Sequence, residues 1–473
     1  MDISLVAIIF AGVQLLGVLN AAHAIMNVRS PQSATAWILG LCLFPWIVIP
    51  LYWVLGRRRF NGYEEAYQKI IKRYRAQADE TYQKILAHTA APPEAIAPLS
   101  ALAKTLNRVS FLGGNRTDLL IDGDRTYNSI IEAIQTAQRY ILFQFYIIND
   151  DEAGRRCLNA LIESARQGVR IYVLYDRIGS SKMTTAYIKT CKAEGISIAA
   201  FRSTLGRNNR FQFNFRNHRK VVVIDGQVGF TGGLNIGDEY QGKDPKFGPW
   251  RDTHMRIEGP ATKALQISFS KDWCWANGSF PAVDWESQPV GDETVLVLPT
   301  GPADYHQTCT LFVGSTIALA KKRVWIASPY FVPDEPTLAA LKMAVLRGVD
   351  VRIILPKNPD HLMVYLCSFS YYTELKHTGI KLYRYRPGFM HQKIILIDDE
   401  LAGVGTVNLD NRSFLLNFEI MAYVTKGDFV CQVERMLEDD LAKSERVDYS
   451  KYDQRPWLSR LAIQSARLVA PLQ

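Results

Sequence analysis

The sequence predicts an α/β protein made of two similar halves, each a mixed sheet flanked by helices, related by a pseudo-twofold axis and preceded by a two-helix transmembrane hairpin. Three observations predict it. Two long uncharged apolar segments open the chain, and strands alternate with amphipathic helices beyond about residue 106. One polar motif also occurs twice, once in each half: "NHRKVVVIDGQVGFTGGLN" at 217–235 and "MHQKIILIDDELAGVGTVN" at 390–408.

A chain of 473 residues, 48% hydrophobic and 21% charged, can bury a large core and form more than one domain. Its net charge of +9 and pI near 9.0 point to a polyanionic partner. Charge does not choose between nucleic acid and an anionic membrane. Seven cysteines (Cys42, Cys157, Cys191, Cys274, Cys309, Cys367 and Cys431) are scattered without a C-x-x-C pair, which favours reduced, mostly buried thiols over a disulfide frame or zinc site.

The N-terminus favours the membrane. Ile3 to Met26 and Ala34 to Gly56 hold no Asp, Glu, Lys or Arg. A hydrocarbon core of ~30 Å needs about 20 helical residues, so each segment is long enough to span it. Pro45 and Pro50 are tolerable where neighbouring helices satisfy freed carbonyls. The intervening "NVRSPQS" permits a tight hairpin. Ala22-His23-Ala24 imitates a signal-peptide cleavage site, but the segment before the apolar run holds only Asp2 and no basic residue, and a second span follows at once. Arg57, Arg58 and Arg59 outweigh Arg29, which places the large C-terminal part in the cytoplasm.

After this hairpin (1–60), Tyr63 to His88 reads as a charged helix and "TAAPPEAIAPLSAL" as a linker marked by Pro92, Pro93 and Pro98, so that 61–105 form a helical linker. Two similar halves follow, 106–290 and 291–473. "AQRYILFQFYIINDDEAGRRCLNALIESARQGVRIYVLYD" at 137–176 has its counterpart in "AKKRVWIASPYFVPDEPTLAALKMAVLRGVDVRIILP" at 320–356. Each is a basic turn, a strand, an acidic turn, an amphipathic helix, a Gly-Val turn and a second strand.

The doubled motif carries the chemistry. In its first copy His218 and Lys220 precede "VVVI", then Asp225, Gly232, Gly233 and Asn235; in its second His391 and Lys393 precede "IILI", then Asp398, Gly405, Thr406 and Asn408. Residues two apart share one side of a strand, so each His and Lys face the same way at a strand entrance. Related by a pseudo-twofold, both pairs would converge on a space suited to a phosphate, with lysines and amides stabilising its equatorial oxygens. No carboxylate cluster of metal-ligand spacing accompanies them, so neither metal nor cofactor is expected and the lysines can serve where magnesium does elsewhere. One imidazole must be neutral to attack phosphorus and the other protonated to supply the leaving oxygen. A carboxylate should orient each ring, and Asp252 and Glu419 open comparable strands after the two motifs. Asp225 and Asp398 belong either to the active-site set or to the turn as structural members.

Paired H-x-K-x-x-x-x-D motifs with Gly-Gly or Gly-Thr and Asn downstream resemble the phospholipase D superfamily. The phrases "SPQSATAW", "GFTGGLNIGDEY", "PWRDTHMRIEGP", "SPYFVPD" and "GTVNLDNRSF" extend the likeness to bacterial cardiolipin synthases over nearly the whole chain. Thr406 stands where many superfamily members carry serine, and it keeps the hydroxyl. The resemblance implies that each half has the phospholipase D-like fold and that His218, Lys220, Asp225, His391, Lys393 and Asp398 form the active-site set. Phosphatidyl transfer between two phosphatidylglycerol molecules would then yield cardiolipin and glycerol at the bacterial inner membrane. It also inclines the nucleophile to His218 and the acid/base to His391.

A hydrolase releasing phosphatidate, a tethered nuclease and a scaffold with a degenerate site are the competing readings. The anchor favours lipid over nucleic acid, and intact motifs in both halves argue against the scaffold. His254 reads as a packing residue. The cluster Arg202, Arg207, Arg210, Arg216 and Arg219 is either a solvated loop or a collector of anionic headgroups. Tyr371-Tyr372 and "KLYRYRPGF" read as core and cleft wall, and the helix within 456–473 as docked on the core or lying in the membrane interface. Oligomeric state is not legible.

Overall fold

The computed structural model describes residues 3–28, 31–56, 59–72, 75–206 and 209–470. Arg29, Arg57, Arg58 and Arg207 of the charge arguments lie outside the described residues. The chain forms two compact units: residues up to Glu64 together with Arg202–Phe215, and Glu65–Phe201 together with Arg216 onward. This differs from the expected division in two ways. The basic loop belongs with the N-terminal segments, and the two repeated halves form one unit.

In the smaller unit, Ile3–Asn27 is one helix, whereas the second apolar segment is two, Pro31–Leu43 and Pro45–Leu55, interrupted at Phe44. Pro45 has no amide hydrogen to donate into the preceding turn, so the helix restarts there instead of running through unbroken. Among the described residues one helix, Leu5–Asn27, is long and apolar enough to cross a membrane. Ala21, Ala24, Leu41 and Tyr52 form the buried contact between these helices, and His23 Nδ1 lies 2.7 Å from the Tyr52 hydroxyl. Gly17 lets the backbones close up, because a Cβ there would meet the Leu41 carbonyl oxygen at 2.4 Å. The loop Arg202–Phe215 joins through Phe215, edge-on to Phe60 at 5.5 Å, and through the Asn209 amide, which donates to the Asn61 carbonyl at 2.9 Å.

The larger unit is organised by one continuous sheet. Its centre is the antiparallel pair Leu112–Ile121 and Glu293–Thr300. Outward from the first run Thr253–Glu258, Val228–Gly232, Val221–Ile224, Tyr140–Phe145, Arg170–Asp176 and Ser197–Phe201. From the second run Asn417–Thr425, Leu401–Gly405, Ile394–Ile397, Arg323–Ala327, Asp350–Pro356 and Lys381–Tyr385, with Ser444–Arg446 added at the edge. The two lists correspond strand for strand. The repeated β-α-β segments are parallel pairs, Tyr140–Phe145 with Arg170–Asp176 and Arg323–Ala327 with Asp350–Pro356, each with its amphipathic helix covering the sheet. Asp151 and Asp334 cap those helices by accepting from the amides of Gly154 and Thr337.

The proline-marked linker is folded rather than loose. Ile96, Leu99 and Ala103 recur at helical spacing and bury against Leu296, Phe312 and their neighbours. The C-terminal helix Trp457–Arg467 docks through Ile463 and Ala466, while Leu461 and Leu468 stand exposed. Tyr371 and Tyr372 are core residues, as expected. All described cysteines are free, and all are buried except the partly exposed Cys42 and the exposed Cys431.

Candidate active site

Both motif strands, Val221–Ile224 and Ile394–Ile397, are buried along their whole length because each lies between two others. The histidines stand at their entrances, and each is held there by the opposite half. Arg216–Asn217 pairs in parallel with Asn417–Phe418, and the His218 amide donates to the Phe418 carbonyl at 2.9 Å. Phe389–Met390 pairs in parallel with Trp250–Arg251, and the His391 amide donates to the Arg251 carbonyl at 2.8 Å. Each half thus reaches across to fix the other's histidine.

The carboxylates cross in the same way. His218 Nδ1 is 2.8 Å from Glu419 Oε2, and His391 Nδ1 is 2.8 Å from Asp252 Oδ2. An ionised carboxylate can only accept, so each Nδ1 carries the hydrogen and each Nε2 is left with its lone pair. Both imidazoles line a single cavity of about 460 Å³, together with Asn235, Asn408, Tyr146, Trp250 and Tyr330. Burial pulls His218 down to about 4 against the opposing pull of Glu419, and it drives His391 well below the usual histidine range, with Lys393 and Lys220 adding to the effect. Both imidazoles are thereby held toward their neutral forms.

The two carboxylates differ. Glu419 stays below the ordinary range despite its burial, because His218 and Lys220 oppose the desolvation and donors surround it: the Thr406 hydroxyl at 2.5 Å, the Ser413 hydroxyl at 2.8 Å and the Asn417 amide at 3.2 Å. Asp252 is pushed up by burial, and besides His391 its nearest donor is the Thr253 amide at 2.8 Å. Gly233, the counterpart of Thr406, supplies no hydroxyl; a Cβ there would stand 2.0 Å from Asp252 Oδ1.

Lys220 and Lys393 are buried, and each ammonium donates to the carbonyl of the histidine two residues before it. Burial lowers both, Lys220 to about 7 with Lys393 as its next largest cause, and Lys393 to about 8. The residue between His and Lys faces the other way. Arg219 forms a buried ion pair with Asp272 at 2.9 Å, and Gln392 donates to Asp440 at 2.7 Å. Asn235 lines the cavity while accepting from the Ile147 amide and donating to the Tyr240 hydroxyl.

Asp225 and Asp398 are not in this group, which corrects their place in the active-site set. They sit at the opposite ends of the motif strands in the left-handed region, at φ 53° and 50°. The Asp225 carboxylate accepts from the amides of Gln138, Arg139 and Tyr140, and that of Asp398 from Lys321, Lys322 and Arg323. They fasten each motif hairpin to the first strand of its β-α-β segment. His254 is buried outside the cavity, lowered to about 3 by burial, and its Nδ1 accepts from the Leu234 amide at 3.4 Å.

Sequence reasoning passed over several cavity residues. Asp360, which accepts from the Tyr330 hydroxyl at 2.5 Å, lies in a loop with no repeat and gave no signal. Tyr330, Trp250 and Arg412 lie inside phrases that were noticed for their resemblance alone, and Arg216 was grouped with the basic loop. Among the described residues no group of three or more His, Cys, Asp or Glu is placed to hold a metal ion.

Residues 130–246 and 313–441 match the family described as "Cardiolipin synthase, PLD-like domain", and residues 15–57 match "Phospholipase_D-nuclease N-terminal". A protein named cardiolipin synthase A from Pseudomonas fluorescens Pf-5 is 44% identical over 461 residues, covering 97% of this chain and 96% of its own length. One of the same name from Pseudomonas aeruginosa LESB58 is 42% identical over 471 residues, covering 98% and 96%. The crystal structure of phosphatidylserine synthase from Haemophilus influenzae Rd KW20 superposes with a TM-score of 0.58 at 16% identity, over 79% of this chain and all of that one, a likeness of fold.

Proposed function

The chain belongs to the cardiolipin synthase family of phospholipase D-like proteins, and from that membership we propose that it is a membrane-associated phosphatidyltransferase joining two phosphatidylglycerol molecules into cardiolipin and glycerol. The observation that carries the reading is the pair of imidazoles facing one cavity, each with its Nδ1 on a carboxylate from the other half.

The His218 Nε2 lone pair attacks phosphorus, the bond from phosphorus to the glycerol oxygen breaks, and the proton carried by His391 goes to that oxygen. In the second step the hydroxyl of the incoming lipid gives its proton to His391 and attacks phosphorus, and the phosphorus–nitrogen bond breaks. Phosphorylated His218 bears a positive ring. The ionised Glu419 with its ring of donors suits that role, and the less firmly ionised Asp252 suits a histidine that must both give and take a proton. An arriving phosphate anion favours the protonated forms of His391, Lys220 and Lys393, and the lysines then stabilise charge on the equatorial oxygens. A cavity of about 460 Å³ takes headgroups and leaves the acyl chains outside, in the bilayer where the apolar N-terminal helix holds the enzyme.

The finer location is part of the same proposal. The N-terminal segments cross the bacterial inner membrane twice, with the catalytic unit in the cytoplasm, supported by Arg57–Arg59 against Arg29. Labelling a cysteine at Gln32 with a membrane-impermeant maleimide in intact cells tests this; protection there would reverse it. The reaction is tested by supplying the full chain with phosphatidylglycerol labelled in phosphate and in headgroup glycerol. Cardiolipin with free glycerol is expected. Phosphatidate as the main product would make it a hydrolase, and DNA cleavage without lipid turnover a nuclease.

A further inference from the structure

Apart from the catalytic cavity, the second half carries another pocket of about 350 Å³. It lies among the strand Lys381–Tyr385, the edge strand Ser444–Arg446, the helix Leu362–Ser370 and the segment that follows the edge strand. Arg384 lines it and is only 6% exposed. Its Nε and one Nη donate to the Tyr372 hydroxyl at 3.2 and 2.8 Å. The same Nη donates to the Ser368 hydroxyl at 3.1 Å, and the other Nη to the Pro356 carbonyl at 3.0 Å. The rings of Tyr365, Phe369 and Tyr372 lie 5.0, 5.2 and 6.0 Å from the guanidinium. Every one of these partners is neutral, whereas an arginine so deeply buried is ordinarily matched by an opposite charge.

The fold does not demand an arginine at this position. Lys381–Tyr385 runs beside Asp350–Pro356 as Ser197–Phe201 runs beside Arg170–Asp176, and the register places Ala200 where Arg384 stands. The edge strand Ser444–Arg446 is likewise an addition of the second half.

The remaining wall is basic as well. Arg455 lies over the Phe369 ring at 4.4 Å, so two guanidinium groups share one ring. Lys357, Arg446 and Lys451 line the pocket too, all of them exposed. Two carboxylates accompany them. Glu445 is 3.1 Å from Lys357, and Asp448 accepts from the Ser450 amide and hydroxyl at 3.0 and 2.6 Å, with Lys451 near enough to favour its ionised form. Five cations therefore face two carboxylates. An oxyanion in the pocket offsets that excess and accepts from a guanidinium fork.

We propose that this pocket is a second anion site, which takes the phosphate of a phosphate ester beside Arg384, Lys451 and Arg455. Its size admits a phosphate carrying a small organic group, and a lipid headgroup and a soluble ester both present that chemistry. The site is separate from the catalytic cavity and adjoins it through one helix: Val364 lines the cavity, and Tyr365 and Phe369 line the pocket. The assignment stands apart from the transferase reading.

The test is lysine footprinting of the full-length protein in neutral detergent micelles, with an acetylating reagent and peptide mapping. Lys451 reports on the pocket, and Lys192, exposed in the first half, reports on general effects. Phosphatidate in the micelles and free glycerol 3-phosphate are the two probes. Only the empty site reacts, so acetylation of Lys451 is expected to slow about tenfold at a probe concentration about ten times its dissociation constant, with Lys192 unaffected. Protection by phosphatidate alone assigns the site to a lipid headgroup, by glycerol 3-phosphate alone to a soluble ester, and by both to the phosphate group itself. R384Q and R455Q are each expected to remove most of the protection; should R384Q lack a cooperative unfolding transition, R455Q decides. No protection by either probe, equal slowing at Lys192, or protection that survives these substitutions would overturn the site.

Discussion

The two histidines stand in matching motifs and different surroundings. Each was recognisable from its motif, and so were Asp252 and Glu419 as orienting groups. The crossed pairing was not, because it depends on which strand ends meet. For the aspartates of the motif the resemblance pointed to the active-site set and the residues left a turn role open; a strand four residues long carries them to the far end of the hairpin, the turn. Asp225→Asn is therefore expected to act through stability, losing about 1–3 kcal/mol by weakening its acceptance of three backbone amides. Thermal unfolding should show that loss, while kcat per folded molecule stays within a few-fold of wild type. His218→Ala and His391→Ala should do the reverse, abolishing cardiolipin formation at an unchanged unfolding midpoint. The pH dependence follows from the same groups. Below about 4 His218 takes up a proton and would lose the nucleophile's role proposed for it, and above about 7 to 8 Lys220 and Lys393 lose theirs. The pH profile of kcat/KM should fall on both sides of that range, and a flat profile up to pH 10 would contradict the role given to the lysines. Both lysines titrate lower folded than unfolded, so the unfolded chain binds more protons between about 7 and 10, and this term makes stability rise with pH over that window. Lys220→Met should flatten the rise of the thermal midpoint.

The elements that position these side chains were largely legible. Strand–helix alternation, the internal repeat and the buried motif strands all follow from residue periodicity. Three features were not. The second apolar segment breaks at Phe44 although its composition reads as one span. The proline-rich stretch docks because Ile96, Leu99 and Ala103 share a face, a pattern easily overlooked beneath three prolines. The connection Arg202–Phe215 has no equivalent of its length in the second half, where 386–388 suffice, so the repeat gave no guide to it. Packing tolerance also belongs to this scale. Thr406 and Gly233 hold matching positions, yet a side chain at Gly233 would strike Asp252. Gly233→Ala should displace Asp252 from His391 and lower kcat by about 10- to 100-fold, in line with other losses of orienting partners. Thr406→Ser should be nearly neutral and Thr406→Ala impaired, since the hydroxyl on Glu419 is what matters.

At the scale of the molecule, the halves are joined by the central strand pair and by two short parallel bridges, and each completes the other's histidine. Neither half alone holds a complete histidine–carboxylate pair, although the sequence repeat alone could suggest two. The repeat made convergence of the motifs a reasonable expectation. The central claim is that one histidine carries the phosphatidyl group while the other handles the proton. Rapid quenching of the full-length wild-type protein during turnover of phosphatidylglycerol labelled in phosphate, followed by peptide mapping, tests it most directly. An acid-labile label located on His218 is the predicted result, whereas no covalent label, or a label on any other residue, would contradict it.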